Sequence, residues 1–555
     1  MELGRTWIEL GLTPTDGPEV VLGYDYRFRE GAKSMSTWGL SGGIGLAPSF
    51  RRISEDVHRI TLDVRGEWGR AEFIDEAEFE LYALDNGHVM QGDVLNGTAS
   101  SYTAANRADR YVGANTFRLE RQIRDDWFAA AGYHYSNLRG DSALNVTTTG
   151  AGGGFPEPRW QADGILNKSQ THAFSVSSLF GPWGDFTISP MIQSEWNRRQ
   201  SAGAADIGYI FGGAVTPVPI RLNASRDERI TTEAVTMRYT GIADVVISSD
   251  LRLRQEEQGI NEQQIGGDFV PAPIATKNPS FLQRTDGDAS EHDLNVGLRW
   301  SPKPGWAVST RLRRHAKETG YRNNQLVLSG AAGLATAMPG FIRWWDQETD
   351  EIRARITARL KRWWRADLTY QLTSGNYRVA TGTAPGDPAG GGVIEASNSD
   401  SHSVSLGSSL TPNHRWRFAF NGSFTDSRTV SAQNNLPTIA AWKGQSYSAY
   451  GNVGFLWDER TDLSCSYSFS IADFGQPIAP GRVLAGTDYT LHGLRAGIAR
   501  RLKNDVRVAA EYGFHKFDEP TAGGQNDYVA HGVFATFSLA WPEAPFRSLT
   551  TRVEP

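Results

Sequence analysis

The 555-residue chain has one cysteine, Cys465, and a formal net charge of only −6. A lone thiol excludes a disulfide framework, a cysteine-rich zinc module and a Cys-x-x-Cys-His haem attachment site. If this chain handles electrons, the cofactor belongs to another protein. No stretch approaches the ~18 consecutive apolar residues of a membrane helix. The opening MELGRTWIELG also lacks the basic stretch and apolar core of a signal peptide, which leaves a cytoplasmic chain or one whose true N-terminus lies upstream. Near-balanced charge argues against nucleic acid as a partner, because phosphate binding needs a strongly basic face. Lysine is scarce, since 47 of the 56 basic residues are Arg. Either a GC-rich gene or a need for planar, bidentate ion pairs accounts for that.

What is present is a period of two. Side chains of a strand alternate between faces, whereas those of a helix recur every three or four positions. From Arg59 to Trp68 the alternation places Ile60, Leu62, Val64 and Trp68 on one face, and Arg59, Thr61, Asp63, Arg65 and Glu67 on the other. From Ile352 to Lys361 it sets Ile352, Ala354, Ile356, Ala358 and Leu360 against Arg353, Arg355, Thr357, Arg359 and Lys361. A helix would scatter those arginines around its whole cylinder. Similar segments recur around Leu251, Leu312, Leu368, Leu494 and Val508.

These segments pair into hairpins. Tight turns are expected near Asp125-Asp126, Gly181-Pro182, Ile242, Pro302 to Gly305, Trp363, Pro412 to Arg415, Asp458 to Arg460 and Lys503 to Asp505. Long polar connections are expected near 87–106, 145–168, 202–226, 260–287, 322–342, 381–398 and 431–443. A propeller blade has a similar repeat length but needs more turns and shorter strands. The fold class expected is therefore all-β: a large single antiparallel transmembrane β-barrel of about 20–22 or more strands, with short periplasmic turns and long extracellular loops. In lipid every backbone N–H and C=O must be paired within the protein, and a closed sheet does this without edges.

Trp127, Trp183, Trp306, Trp363, Trp364, Trp416 and Trp457 all lie beside tight turns and are expected to form an aromatic girdle at the membrane boundary. The barrel is expected over residues 1–541, its last strand ending at Trp541, an aromatic terminus of the kind read by the outer-membrane assembly machinery. Residues 542–555 are expected as a periplasmic tail. About 20 strands are counted from Glu19, and Leu3 to Thr13 adds one more; the odd total of about 21 suggests a missing upstream partner. A barrel this wide is not filled by its own side chains. Its inward face carries both signs of charge, with Arg65, Arg252, Arg353, Arg355 and Arg359 as candidate lumen-lining residues.

Three stretches carry a resemblance to a known family. They are Val21 to Gly31 with Lys33-Ser34 and Trp38-Gly39, Ala114 to Arg118, and Phe517 to Pro520 with Gly523-Gly524 and Asn526-Asp527-Tyr528. In these the chain resembles the decahaem-associated MtrB/PioB-type outer-membrane barrels. The resemblance implies a bacterial outer-membrane sheath around a multihaem c-type cytochrome, carrying electrons across the membrane, with haem supplied only by that partner and no cofactor in this chain. Some members have a Cys-x-x-Cys pair near the N-terminus, which is absent here. The alternatives are a passive large porin for polar solutes, or a gated outer-membrane transporter without a plug; a receptor with an N-terminal plug would need roughly 100 residues or more before its first strand.

Nothing points to an enzyme. Ser401-His402-Ser403 invites comparison with outer-membrane phospholipases, but adjacency of Ser and His arises readily by chance. Asp286-Gly287-Asp288 with Glu291 and Asp293 offers oxygen ligands without the final Glu of a calcium loop, and reads as solvated loop. Gly152 to Gly154 and Gly390 to Gly392 lack the Lys-Ser/Thr of a phosphate cradle. Cys465 sits on a strand, where a small residue needs no chemistry.

Overall fold

The computed structural model describes residues 2–539 apart from 16, 39–45, 93–99, 151–158, 212–213, 267–279, 328–340, 383–392, 434–435, 476–485, 503–505 and 521–526. Strands β1 to β7 span Glu2–Leu12, Glu19–Trp38, Leu46–Trp68, Ala71–Gly92, Ser100–Arg124, Trp127–Gly150 and Arg159–Trp183. Strands β8 to β14 span Phe186–Phe211, Ala214–Ile242, Val245–Gly266, Phe281–Lys303, Trp306–Val327, Phe341–Lys361 and Trp364–Gly382. Strands β15 to β21 span Val393–Leu410, Trp416–Gln433, Leu436–Asp458, Thr461–Gly475, Gly486–Arg501, Val506–Asp518 and Tyr528–Leu539. All 21 lie in one sheet, each antiparallel to the next in sequence. Among the described residues there is no α-helix, and the outer edges of β1 and β21 do not pair.

Among the described residues at one end of the sheet, Thr411 to Arg415 makes a five-residue turn, while seven turns are two residues long: Gly69-Arg70, Asp125-Asp126, Gly184-Asp185, Ala243-Asp244, Pro304-Gly305, Arg362-Trp363 and Glu459-Arg460. Hairpins this tight favour residues that tolerate positive φ, which fits Gly69 (φ 67) and Gly184 (φ 63), and Asp244 (φ 63) in place of glycine. Gly181 and Pro182 lie within β7, so the turn expected there falls a few residues later.

At the other end the expected long loops are mostly strand. β8 runs to Phe211 and β9 starts at Ala214, replacing the loop expected over 202–226. Asp286 and Asp288 likewise belong to β11 and not to a loop. Strands β4 to β13 are 21 to 29 residues long, well beyond the ~9–11 residues that cross a bilayer. Over this excess length apolar and polar residues no longer alternate, although the backbone still pairs. The two glycine clusters, the 503–505 turn, Trp541 and the 542–555 tail lie outside the described residues.

Candidate functional site

Cross-strand register assigns the faces. On one face Val308 opposes Ile356, Ile356 opposes Leu368, and Leu368 opposes Leu406. These side chains splay outward, with Ile356 42% and Leu368 44% exposed. Apolar runs such as Ile352 to Leu360 and Trp364 to Leu372 match the length of a tilted membrane-crossing strand. The band is interrupted by Asp75, which accepts a hydrogen bond from Asn115 Nδ2 at 2.9 Å, and by Glu233 opposite Ile192. Cys465 is part of this face, between Val453 and Ala496.

The turn-side edge of the band carries the seven tryptophans. Trp127 stacks on Phe180, which also stacks on Trp183. The Trp183 Nε1 donates to Asp126 at 3.2 Å, and that of Trp364 donates to Ser408 Oγ at 3.0 Å. Lys303 and Lys361 lie over the rings of Trp306 and Trp363. Trp363 stacks on Trp364, Trp416 on Phe418, and Trp457 meets Phe455 edge-on.

The opposite edge carries an arrangement that sequence reasoning missed. On five hairpins a Tyr hydroxyl lies 2.7 to 2.9 Å from a His Nδ1 of the next strand: Tyr24 with His58, Tyr133 with His172, Tyr370 with His402, Tyr467 with His492, and Tyr512 with His531. Each histidine directly opposes the residue two positions after the tyrosine, namely Tyr26, Tyr135, Leu372, Phe469 and Phe514. In four of the five that residue is aromatic and packs on the imidazole at 4.7 to 5.2 Å. Beyond three of these pairs the same face turns polar, with Asp56, Gln170 and Asp400 following His58, His172 and His402. The sequence signal is Tyr-x-aromatic facing a His, visible only once register is known. His402 is thus engaged by Tyr370, and Ser403 accepts from Thr425, so the Ser-His adjacency forms no nucleophile pair.

The other face holds the charge. Asp25 accepts from Arg5 and Arg27, Arg29 pairs with Glu55 at 2.5 Å, and Arg59 with Glu78 at 3.0 Å. Further round, Arg226 meets Glu228 and Glu256, and Arg313 meets Asp293 at 2.5 Å. Of the arginines singled out from sequence, Arg65 approaches Glu76 at 3.9 Å and Arg355 approaches Asp367 at 3.3 Å. Arg252 opposes Asp293, whose carboxylate Arg313 occupies. Arg353 and Arg355 line one cavity with Arg238, Arg299 and Arg311, and Arg359 lines the adjoining one with Arg299 and Arg365. Arg65, on β3, belongs to a different sector of the sheet. Arg238, Arg299 and Arg311 were not singled out from sequence, because only the register of β9 to β13 brings them together with Arg353.

Two rim carboxylates are perturbed. The backbone N–H of Arg460 donates to Asp458 at 2.8 Å and holds its carboxyl below the usual range. Burial, followed by the facing Asp473 carboxylate, pushes Asp488 up.

No family model and no curated protein matches the chain. Solved structures do. BauA, the ferric preacinetobactin receptor from Acinetobacter baumannii, is 12% identical, with a TM-score of 0.51 over 96% of this chain and 76% of that one. The ferric yersiniabactin uptake receptor FyuA from Yersinia pestis is 9% identical, with a TM-score of 0.55 over 96% and 76%. The ferric-catecholate import receptor Fiu from E. coli K12, in its closed form, is 10% identical, with a TM-score of 0.54 over 96% and 79%. The fold is that of the large outer-membrane β-barrels. Neither a family model nor a curated sequence ties the chain to the MtrB/PioB type.

Proposed function

We propose that the chain is a bacterial outer-membrane β-barrel that transports a polar solute through a charged lumen. One observation carries this reading: register divides the side chains into a splayed apolar band, edged by the Trp row and the Tyr-His belt, and an opposite face of ionic networks. Trp and Tyr prefer the two membrane interfaces, so these rows mark where lipid begins and ends. The short turns then face the periplasm, and the long upper wall stands outside. Insertion requires the free edges of β1 and β21 to be paired, since lipid offers them no hydrogen bonds. The fold neighbours are receptors and import proteins, which favours the transporter reading over the electron conduit. The test is uptake of labelled polar solutes into proteoliposomes containing the purified chain; vesicles no leakier than protein-free ones would refute it.

The second reading is the sheath around a multihaem cytochrome. It is favoured by lumen arginines such as Arg252, Arg353 and Arg359, which form no ion pair among the described residues and are free to meet carboxylates of an enclosed protein. Haem would enter only with that partner. Oxidation of external reductant by an enclosed acceptor, only when cytochrome is added, would support it.

A further inference from the structure

Among the described residues five pairs of arginines oppose each other directly across neighbouring strands, Arg199 with Arg226 and Arg501 with Arg507 among them, and they are not treated alike. Arg5 faces Arg27 across β1 and β2, and Asp25 joins the two, accepting from Arg5 at 2.6 Å and from Arg27 at 2.8 Å. Arg311 faces Arg353 across β12 and β13, and Arg359 faces Arg365 across β13 and β14. Among the described residues none of these last four forms an ion pair. Among the described residues the Arg311 side chain has only the side-chain oxygen of Asn295, at 3.0 and 2.7 Å, and the Arg353 side chain has no hydrogen bond. Like charges directly opposed destabilise a sheet unless something neutralises them. Around Arg5 and Arg27 the protein supplies the anion itself; around Arg311 and Arg353 it does not.

That place is also concave. A cavity of about 620 Å³ on the inner face is lined by Arg238, Arg299, Arg311, Arg353 and Arg355. Its one carboxylate, Asp250, accepts a hydrogen bond from Thr236 at 2.7 Å. Arg355 turns one terminal nitrogen to Asp367 at 3.3 Å, while its Nε is buried without a partner. The adjoining cavity towards the tight turns shares Arg299 and adds Arg359, Arg365 and Lys303 against Asp244 alone. The basic surface thus continues from the cavity towards the turn end of the sheet.

We propose that this cavity binds a small oxyanion, a phosphate- or carboxylate-bearing solute, as a station on the route through the lumen; the site rests on the transport reading for its purpose. Several guanidinium forks converge, each matched to two oxygens of such a group. A bound oxyanion between Arg311 and Arg353 does there what Asp25 does between Arg5 and Arg27. A cleft lined by one sign of charge also raises the local concentration of its counter-ion.

Equilibrium dialysis of the detergent-solubilised full chain against radiolabelled inorganic phosphate at low chloride tests this without requiring flux. Saturable binding is expected. Arg311→Gln with Arg353→Gln should weaken it about tenfold or more, while Arg110→Gln, on the distant β5 wall where Glu80 partners it, should leave it within about twofold. Arg355→Gln, a milder single change, should weaken it in the same direction and covers the case in which the double variant does not fold. Absence of saturable binding, or an equal loss with Arg110→Gln, would overturn the site. Phosphate binding without solute flux would sink the transport reading and leave the site, whereas flux without binding would do the reverse.

Discussion

Exchanging the characters of two neighbouring residues on β13 tests the assignment of faces. Ile356 sits midway along the apolar run from Ile352 to Leu360, opposed by Val308 and Leu368. Ile356→Arg places a guanidinium near the middle of the bilayer, which costs about 2–4 kcal/mol. Arg355, one residue away, lies on the opposite face and is 42% exposed, with Asp367 at 3.3 Å. A pair that open is worth about 0–1 kcal/mol, so Arg355→Ile should cost no more than that. The difference, about 2 kcal/mol, is roughly 30-fold in the folding equilibrium. Reversible urea titration of the chain folding into phospholipid vesicles, followed by tryptophan fluorescence, reads both variants on one scale. Equal costs, or a larger cost for Arg355→Ile, would refute the inward-outward assignment.

Other consequences concern the belt, the rim and the packing. Tyr370→Phe and Tyr467→Phe each remove a Tyr-His hydrogen bond, and each should lower stability by about 1 kcal/mol in the same titration; no change in either would show that the belt adds nothing to folding. Asp488, whose carboxyl is raised, binds its proton more tightly folded than unfolded. Its destabilising effect is therefore present above the folded pKa, shrinks as pH falls, and is gone below the unfolded value of about 3.9. Amide exchange at the outer ends of β18 and β19 should slow on acidification, corrected for intrinsic rate, and Asp488→Asn should abolish that dependence; an unchanged profile would contradict it. Phe474 lies across Gly444 on the neighbouring strand, where an added Cβ would collide with the ring. Gly444→Ala should destabilise by about 1–3 kcal/mol, and Phe474→Leu should relieve most of that; a neutral Gly444→Ala would refute the close packing.

Legibility in the sequence follows from where water and lipid lie. Ile352 to Lys361 alternates because lipid touches one face and water the other, and turns such as Asp125-Asp126 and Glu459-Arg460 punctuate it with polar pairs. Near 202–226 the strands run beyond the length a bilayer covers, the alternation fades, and a paired backbone reads as loop. That Arg353 and Arg355 share the face opposite Ile352 and Ile356 was legible from period two alone. Their association with Arg238, Arg299 and Arg311 was not, since it depends on the register of strands distant in sequence. The Tyr-His pairs were hidden for the same reason. Tyr24 and His58 are far apart in the chain and meet only because Tyr26 and His58 are register partners.

The central claim is that one face of the sheet meets lipid and the other water. Cys465 is the only thiol, so Cys465→Ser gives a background for single cysteines placed in turn at 352 to 358 and spin-labelled in proteoliposomes. Collision rates with oxygen, which concentrates in lipid, and with a water-soluble nickel chelate should alternate with period two. Oxygen should dominate at Ile352, Ala354, Ile356 and Ala358, and the chelate at Arg353, Arg355 and Thr357. Equal access of the chelate to both sets, or no alternation at all, would contradict the account.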